Sequence, residues 1–202
     1  MEVQIKNIQK KYRKKSVLKD INLEASGGTC IGILGCNGSG KSTLLSILAG
    51  VLRRDGGNFL CDGKDLFHDQ ALRAQMVGYV PQGTPLIEEL SAKDNLLLWY
   101  SPEQMKQELE NGVLKMLGID AFLKVPVNKM SGGMKKRLSI GCSVANRPPI
   151  LLLDEPTAAL DGCSRDYVIA FLMEQQKKGK TIVAVSHDYS FAAQCSVTIQ
   201  LG

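Results

Sequence analysis

The sequence predicts an α/β fold, in which a mostly parallel β-sheet is covered by helices on both faces. Short apolar runs of the kind that form strands buried on both sides occupy residues 30–34, 77–80, 150–153, 181–185 and 196–201. The first of these runs leads directly into a glycine-rich loop, residues 35–43. After that loop, residues 41–52 are predicted to form a helix, because apolar residues recur there with a helical period.

The N-terminal residues predict an antiparallel part of the fold. Residues 2–8 alternate apolar and polar side chains as a half-buried strand does, and residues 17–25 follow a short turn as its hairpin partner. Between Val80 and Ile150 the pattern becomes helical, most clearly over 102–118 and 132–146. We therefore expect one domain, residues 1–202, with a core formed by 1–82 and 148–202 and a helical subdomain formed by 83–147.

Composition places the chain among ordinary soluble proteins, since 44% of its 202 residues are hydrophobic and 22% are charged. The six cysteines are scattered without a CxxC pair, which indicates free thiols in a reducing compartment rather than a zinc site. The formal net charge is +5, and much of the excess lies in the run KKYRKK at positions 10–15. Such a run fits a solvated turn, a nucleic-acid patch or an anionic membrane surface, and charge alone leaves these three alternatives open.

The glycine-rich loop, GCNGSGKST, satisfies the phosphate-loop pattern GxxxxGK[ST]. Its glycines allow the backbone to turn N–H groups towards phosphate oxygens, and the helix that follows offers free N–H groups and a positive dipole end. Lys41 is placed to reach the β- and γ-phosphates, and Ser42 to bind magnesium. We expect a nucleoside triphosphate to contact Gly35, Cys36, Asn37, Gly38, Ser39, Gly40, Lys41, Ser42 and Thr43.

Two carboxylates end the apolar run ILLLDE. Asp154 is placed to hold the hydration shell of a magnesium ion, as the acidic residue at the end of such a strand does. Glu155 points elsewhere and is a candidate to polarise a water molecule for attack on the γ-phosphate.

Together with further short motifs, these features resemble the nucleotide-binding subunit of ATP-binding-cassette (ABC) transporters over nearly the whole chain. MSGGM (130–134) is similar to the family signature, GYVPQ supplies the Q-loop glutamine, AALD (158–161) resembles the D-loop, and VSHD supplies the switch histidine. The resemblance implies the P-loop NTPase (RecA-like) fold, ATP hydrolysis with Mg2+ as cofactor, and a head-to-tail pair of copies. In that pair the signature of one copy closes on the γ-phosphate that the other copy holds.

The resemblance also implies roles for individual residues. Glu155, His187 and Gln82 are expected to be catalytic, and Tyr12 is expected to stack on the adenine. The metal ligands are expected to be Ser42, Gln82 and Asp154. The residues expected to meet ATP from the partner copy are Ser131, Gly132, Gly133 and Met134, with Asp161 in the D-loop.

The signature form SGGMKKRL resembles exporter ATPases, which points to efflux rather than nutrient uptake. The family resemblance implies integral membrane permease partners, a homodimer or a related ATPase subunit, and no nucleic acid. We expect the chain in the cytoplasm, peripheral on the inner face of the cell membrane. The apolar cluster at residues 96–100, LLLWY, fits either the core of the helical subdomain or a groove for a partner helix. The alternative class is a soluble ABC ATPase that acts on nucleic acid, ribosomes or cluster assembly.

Overall fold

The computed structural model describes residues 1–13 and 15–201; Lys14 of the basic run and Gly202 lie outside the described residues. The strands are β1 (Glu2–Tyr12), β2 (Lys15–Ser26), β3 (Cys30–Leu34), β4 (Gly56–Cys61), β5 (Lys64–Asp65), β6 (Val77–Val80), β7 (Ile150–Asp154), β8 (Thr181–Val185) and β9 (Val197–Gln200). The α-helices are α1 (Lys41–Leu48), α2 (Gln70–Met76), α3 (Ala92–Leu97), α4 (Pro102–Asn111), α5 (Val113–Met116), α6 (Gly132–Ser143), α7 (Gly162–Lys177) and α8 (Tyr189–Ala192). Two short 3-10 helices, Ile119–Phe122 and Val127–Lys129, complete the helical segments.

The predicted parallel sheet is confirmed. Its strand order is β6-β7-β8-β3-β9, and every strand pair in it is parallel. Strands β3, β7 and β8 are buried along their whole length, which explains why they read as continuous apolar runs. Their carboxyl ends therefore meet at one edge of the sheet, where ligands bind in folds of this kind.

The predicted hairpin of β1 and β2 is also confirmed, and it belongs to a larger antiparallel sheet with the order β2-β1-β4-β5. Strands β4 and β5 were not predicted, because the sequence GGNFLC carries two glycines and no clear alternation. Helices α2, α7 and α8 were likewise not predicted.

Alternate residues of the central strands supply two hydrophobic cores. Ile150 and Leu152 of β7 face a core shared with α1 and the antiparallel sheet. Leu151 and Leu153 face the other core, which contains the apolar residues of α6, α7 and the helical region. The parallel sheet is therefore the middle layer between the two cores. The predicted boundaries of the helical subdomain, at residues 83 and 147, stay a prediction.

Three predicted helices end earlier than expected. Helix α1 stops at Leu48 rather than continuing to residue 52, and Gly50 has φ +79°, a conformation outside the helix. The run 102–118 is broken at Gly112, where the Glu108 carboxylate accepts a 2.7 Å hydrogen bond from the Val113 N–H. The run 132–146 ends at Ser143, where α6 ends.

The apolar cluster at 96–100 belongs to the core of the helical region only in part, and the partner groove stays a prediction. Leu96 and Tyr100 are buried in the core of the helical region, whereas Leu97, Leu98 and Trp99 are exposed. None of the helices described in residues 1–13 and 15–201 has the length and apolarity that a bilayer crossing demands.

Candidate active site

A cleft of about 550 Å³ lies where the carboxyl ends of β3, β6, β7 and β8 meet. Most of the predicted nucleotide-binding and catalytic residues come together here, although they are spread over the chain. The lining consists of Tyr12, Val17, Asn37, Gly38, Gly40, Lys41, Ser42, Thr43, Gln82, Glu155 and His187. Val17 was not predicted to line the cleft, because it belongs to no recognisable motif.

The shape of the phosphate loop requires glycine at two positions. A Cβ atom on Gly35 would lie 2.2 Å from the carbonyl oxygen of Leu201, and Gly40 has φ +99°. Gly40 is also the residue that precedes α1, so its backbone sets the direction in which the helix begins. The first N–H groups of α1 have no side-chain cap, and their positive dipole end opens into the cleft.

Lys41 is held within the loop itself. Its Nζ donates hydrogen bonds to the carbonyl oxygens of Gly35, at 2.7 Å, and Cys36, at 2.9 Å. Lys41 is buried, and these two hydrogen bonds hold its ammonium group against the backbone of the loop. Gly35, Cys36 and Ser39 belong to the loop without lining the cleft, and Cys36 is exposed.

Strand β7 ends at Asp154, and Glu155 follows it directly. Both residues are buried, and of the two only Glu155 lines the cleft. Burial raises the pKa of Asp154, and a hydrogen bond from the Ser42 hydroxyl acts in the opposite direction. Burial also raises the pKa of Glu155, while the nearby His187 acts to lower it. Both groups are therefore stronger bases than exposed carboxylates.

Glu155 and His187 lie side by side. The backbone N–H of His187 donates a 3.3 Å hydrogen bond to Oε2 of Glu155. The imidazole Nε2 atom of His187 lies 3.1 Å from Oε1 of the same carboxylate. Oε1 itself accepts no hydrogen bond among the described residues. The backbone of Glu155 has φ +51°, an uncommon conformation for a residue other than glycine.

The oxygen atoms around the cleft fit a magnesium ion. Oδ1 of Asp154 and Oγ of Ser39 are buried without a hydrogen-bond partner in the described residues. A carboxylate, a hydroxyl and an amide are oxygen donors of the type that magnesium takes. No group of three or more His, Cys, Asp or Glu side chains in residues 1–13 and 15–201 is placed to hold a metal ion. Magnesium at a nucleotide site is usually bound by one or two protein side chains together with phosphate and water oxygens. Ser42, Asp154 and Gln82 fit that requirement.

The signature residues lie outside this cleft. Ser131 caps α6, because its hydroxyl accepts a 3.2 Å hydrogen bond from the Met134 N–H. Gly132 is exposed, and a Cβ there would meet nothing within 4 Å, whereas a Cβ on Gly133 would lie 2.1 Å from Oγ of Ser164. Ser164 is itself held by Asp161, which caps α7. The signature and the D-loop residue Asp161 are thus packed against each other, away from the chain's own phosphate loop.

Lys136 is a site residue that sequence reasoning missed. It is buried on α6, and its Nζ donates hydrogen bonds to the carbonyl oxygens of Pro81, at 3.3 Å, and Gln82, at 3.1 Å. Burial lowers its pKa, and the charges of Asp154 and Glu155 act in the opposite direction. Lys136 therefore connects the signature helix to the backbone of the Q-loop within one chain.

A family model described as "ABC transporter" matches residues 18–158. The linearmycin resistance ATP-binding protein LnrL of Bacillus subtilis is 34% identical over 191 residues, which are 92% of this chain and 61% of that protein. A probable sulfate/thiosulfate import ATP-binding protein of Chlorella vulgaris is 34% identical over 206 residues, covering 100% of this chain and 87% of that protein. A dimeric structure of a post-hydrolysis state of an ATP-binding cassette, bound to ADP and Pi, superposes with a TM-score of 0.86 at 31% identity, over 98% of this chain and 94% of that one.

The chain belongs to the ABC transporter family, and its fold is that of the P-loop ATP-binding cassette. The predicted resemblance and fold class are confirmed. The chain spans 61% of the length of the linearmycin resistance relative.

Proposed function

We propose that this chain is a magnesium-dependent ATPase subunit that drives an ABC transporter. The observation that carries the proposal is the convergence of the phosphate loop, Gln82, Glu155 and His187 on one cleft. The triphosphate lies along the loop, with Lys41 and the first N–H groups of α1 as donors. Tyr12, which is 47% exposed at the mouth of the cleft, offers its ring face to the adenine.

Glu155 is the residue that we assign to the attacking water. Its buried carboxylate is a strengthened base, and the adjacent His187 lines the same cleft, where we place the γ-phosphate. Magnesium, when bound at Ser42, Asp154 and Gln82, would neutralise the charge that develops on the phosphate oxygens. The protein contributes position and preorganised charge rather than covalent chemistry.

A second copy completes the site. The N-terminus of α6, with Ser131 as its cap, is a helix end of the type that binds anions, and its residues do not line the cleft of their own phosphate loop. We assign it to the γ-phosphate of a partner copy, or of a related ATPase subunit, in a head-to-tail dimer. One of the solved relatives is a dimeric ATP-binding cassette, which supports this assignment.

The substitution Glu155→Gln tests the assignment of the base. The amide keeps the size of the side chain and an acceptor for the His187 N–H, so ATP affinity should change little. Turnover should fall by roughly 100-fold to 10,000-fold, the usual contribution of a general base. Glu24→Gln, at an exposed glutamate, is the matched control and should retain wild-type turnover. Wild-type kcat in the Glu155→Gln protein would show that Glu155 is not the base. ATPase activity that EDTA does not reduce would contradict the requirement for magnesium.

A membrane subunit is the partner that we propose for a second, largely apolar groove, which is lined by other residues than the nucleotide cleft. The groove encloses about 260 Å³ and is bounded in part by Val77, Tyr79, Leu86, Trp99 and Pro148. The Trp99 side chain is 59% exposed at its edge, which suits the insertion of a short apolar helix.

The groove is tested by co-expression with the membrane subunit. Trp99→Arg should reduce the amount of chain that is recovered with membranes, while the ATPase activity of the isolated chain stays unchanged. Val51→Arg is the matched control, because Val51 is an exposed apolar residue that does not line the groove. Equal recovery of the two variants would contradict the docking site.

We further propose export as the direction of transport and the inner face of the cell membrane as the location. The signature form SGGMKKRL supports export, as does the name of the linearmycin resistance relative, although an import protein is also among the relatives. Recovery of the chain with membranes only when a permease is present would support this location. Recovery with ribosomes or DNA would instead favour the soluble ABC ATPase class.

A further inference from the structure

Two of the six cysteines lie together, although they are 165 positions apart in the sequence. The Sγ atoms of Cys30 and Cys195 are 3.3 Å apart, and both thiols are free. Cys30 is the first residue of β3 and is fully buried, whereas Cys195 lies between α8 and β9 and is partly exposed. A disulfide has an S–S distance of about 2.05 Å, so the sulfur atoms need to approach by only about 1.3 Å.

The backbone around the two thiols is already held in place. The Cys30 N–H donates a 3.2 Å hydrogen bond to Oγ of Ser196, which also accepts a 2.7 Å hydrogen bond from Nε2 of Gln176. The Cys195 N–H donates to the carbonyl oxygen of Ala192 at 3.0 Å. A Cβ on Gly32 would lie 3.2 Å from Sγ of Cys195, so the absence of a side chain on β3 makes room for this thiol. The backbone of Cys30 is therefore tied to the residue that follows Cys195, which keeps the two thiols next to each other.

The two thiols differ in reactivity. The Cys30 thiol donates to the sulfur of Cys195, and this hydrogen bond lowers the pKa of Cys195. The same contact, together with burial, raises the pKa of Cys30. Cys195 is thus the thiol that is both reachable and more readily ionised, and Cys30 is placed to react with it afterwards.

We propose that Cys30 and Cys195 form a reversible disulfide when the protein meets a peroxide. The Cys195 thiolate attacks one peroxide oxygen, which gives a sulfenic acid and releases hydroxide. The Cys30 thiol then attacks the sulfenic sulfur; the S–S bond forms, and the displaced hydroxide takes the thiol proton and leaves as water. In total, two thiols and one hydrogen peroxide give one disulfide and two water molecules. A small dithiol reverses the reaction by thiol–disulfide exchange.

The bond would join the start of β3, the strand that leads into the phosphate loop, to the segment between α8 and β9. A crosslink that closes so long a loop stabilises the folded chain relative to the unfolded chain. The melting temperature of the oxidised protein should therefore exceed that of the reduced protein by several degrees, on the order of 5–15 °C.

The test uses the full-length protein without nucleotide. After treatment with hydrogen peroxide, free thiols are blocked with N-ethylmaleimide, and the protein is digested and analysed by mass spectrometry without reduction. We expect a crosslinked peptide pair that contains Cys30 and Cys195 and disappears after treatment with dithiothreitol. Melting curves of the same samples should show the increase for the oxidised form.

Cys195→Ala should lose both the crosslink and the increase in melting temperature. Cys142→Ala is the matched control, because it removes another cysteine and should keep both. Cys30→Ser should instead leave a sulfenic acid on Cys195, which dimedone traps. The mapping on the wild-type protein decides the proposal even where a variant folds poorly: unmodified thiols at both positions after peroxide, or Cys195 linked to a different cysteine, would overturn it.

Discussion

Replacement of Gly133 by alanine should destabilise the fold, whereas the same change at the neighbouring Gly132 should not. A Cβ atom at position 133 would lie 2.1 Å from Oγ and 2.6 Å from Cβ of Ser164, and 3.1 Å from Oδ2 of Asp161. Rotation of the hydroxyl cannot remove the contact with Cβ of Ser164, so α6 and α7 must move apart. At Gly132 a Cβ meets nothing within 4 Å.

The size of the effect follows from this contact. Overpacking of a buried site costs about 1–3 kcal/mol, and each kcal/mol lowers the melting temperature of a chain of this size by roughly 2–4 °C. Gly133→Ala should therefore melt about 2–12 °C below Gly132→Ala. Both substitutions change glycine to alanine in the first turn of the same helix, so their difference isolates the contact with α7.

Thermal unfolding followed by circular dichroism measures the difference. Ser164→Gly removes both the Oγ and the Cβ atoms that Gly133→Ala would meet, so the penalty of Gly133→Ala should shrink in that background. Equal melting temperatures for Gly132→Ala and Gly133→Ala would refute the packing of the signature against the start of α7.

Two further predictions concern the phosphate loop and the base. In a Cys163→Ser background, a maleimide should label the exposed Cys36, and Mg-ATP should slow that labelling because the phosphates cover the loop; equal labelling with and without Mg-ATP, measured by mass spectrometry, would contradict this. Because burial raises the pKa of Glu155 above 4.5 and only the ionised carboxylate accepts a proton, kcat should fall as the pH falls through that raised pKa; a pH–rate profile with no decline above 4.5 would contradict it.

The central sheet could be predicted because its strands are buried on both faces. Residues 30–34 and 181–185 form short, continuous apolar runs for that reason. Strand β4 gave no comparable signal, since Gly56 and Gly57 have no side chains to alternate. Helix α7 was also missed, although its sequence does contain a helical signal. Asp161 caps the helix, and its buried residues Val168, Phe171 and Leu172 recur at helical spacing.

The candidate site was predictable to the extent that its residues follow strands or belong to short motifs. Lys41, Asp154 and Glu155 were placed in this way. The role of the buried Lys136 was not predicted, because the sequence MKKRL indicates an exposed lysine on a helix. Only the structure shows that its ammonium group donates to the carbonyl groups of Pro81 and Gln82. The contact between Cys30 and Cys195 depends on the neighbouring positions of β3 and β9, which spacing along the chain does not reveal.

Mixing two inactive variants tests the central claim, that each ATP is held by Lys41 of one copy and the signature of another. Lys41→Ala removes the phosphate-binding ammonium, and Gly132→Asp places a carboxylate against the partner's γ-phosphate, at a position with room for a side chain. In a mixed dimer both changes fall in one site, and the other site is intact. After random exchange of equal amounts, about a quarter of all sites are intact, so ATPase activity should return to a corresponding fraction of the wild-type value. No return of activity on mixing, together with wild-type activity per molecule that does not change with protein concentration, would contradict the shared site.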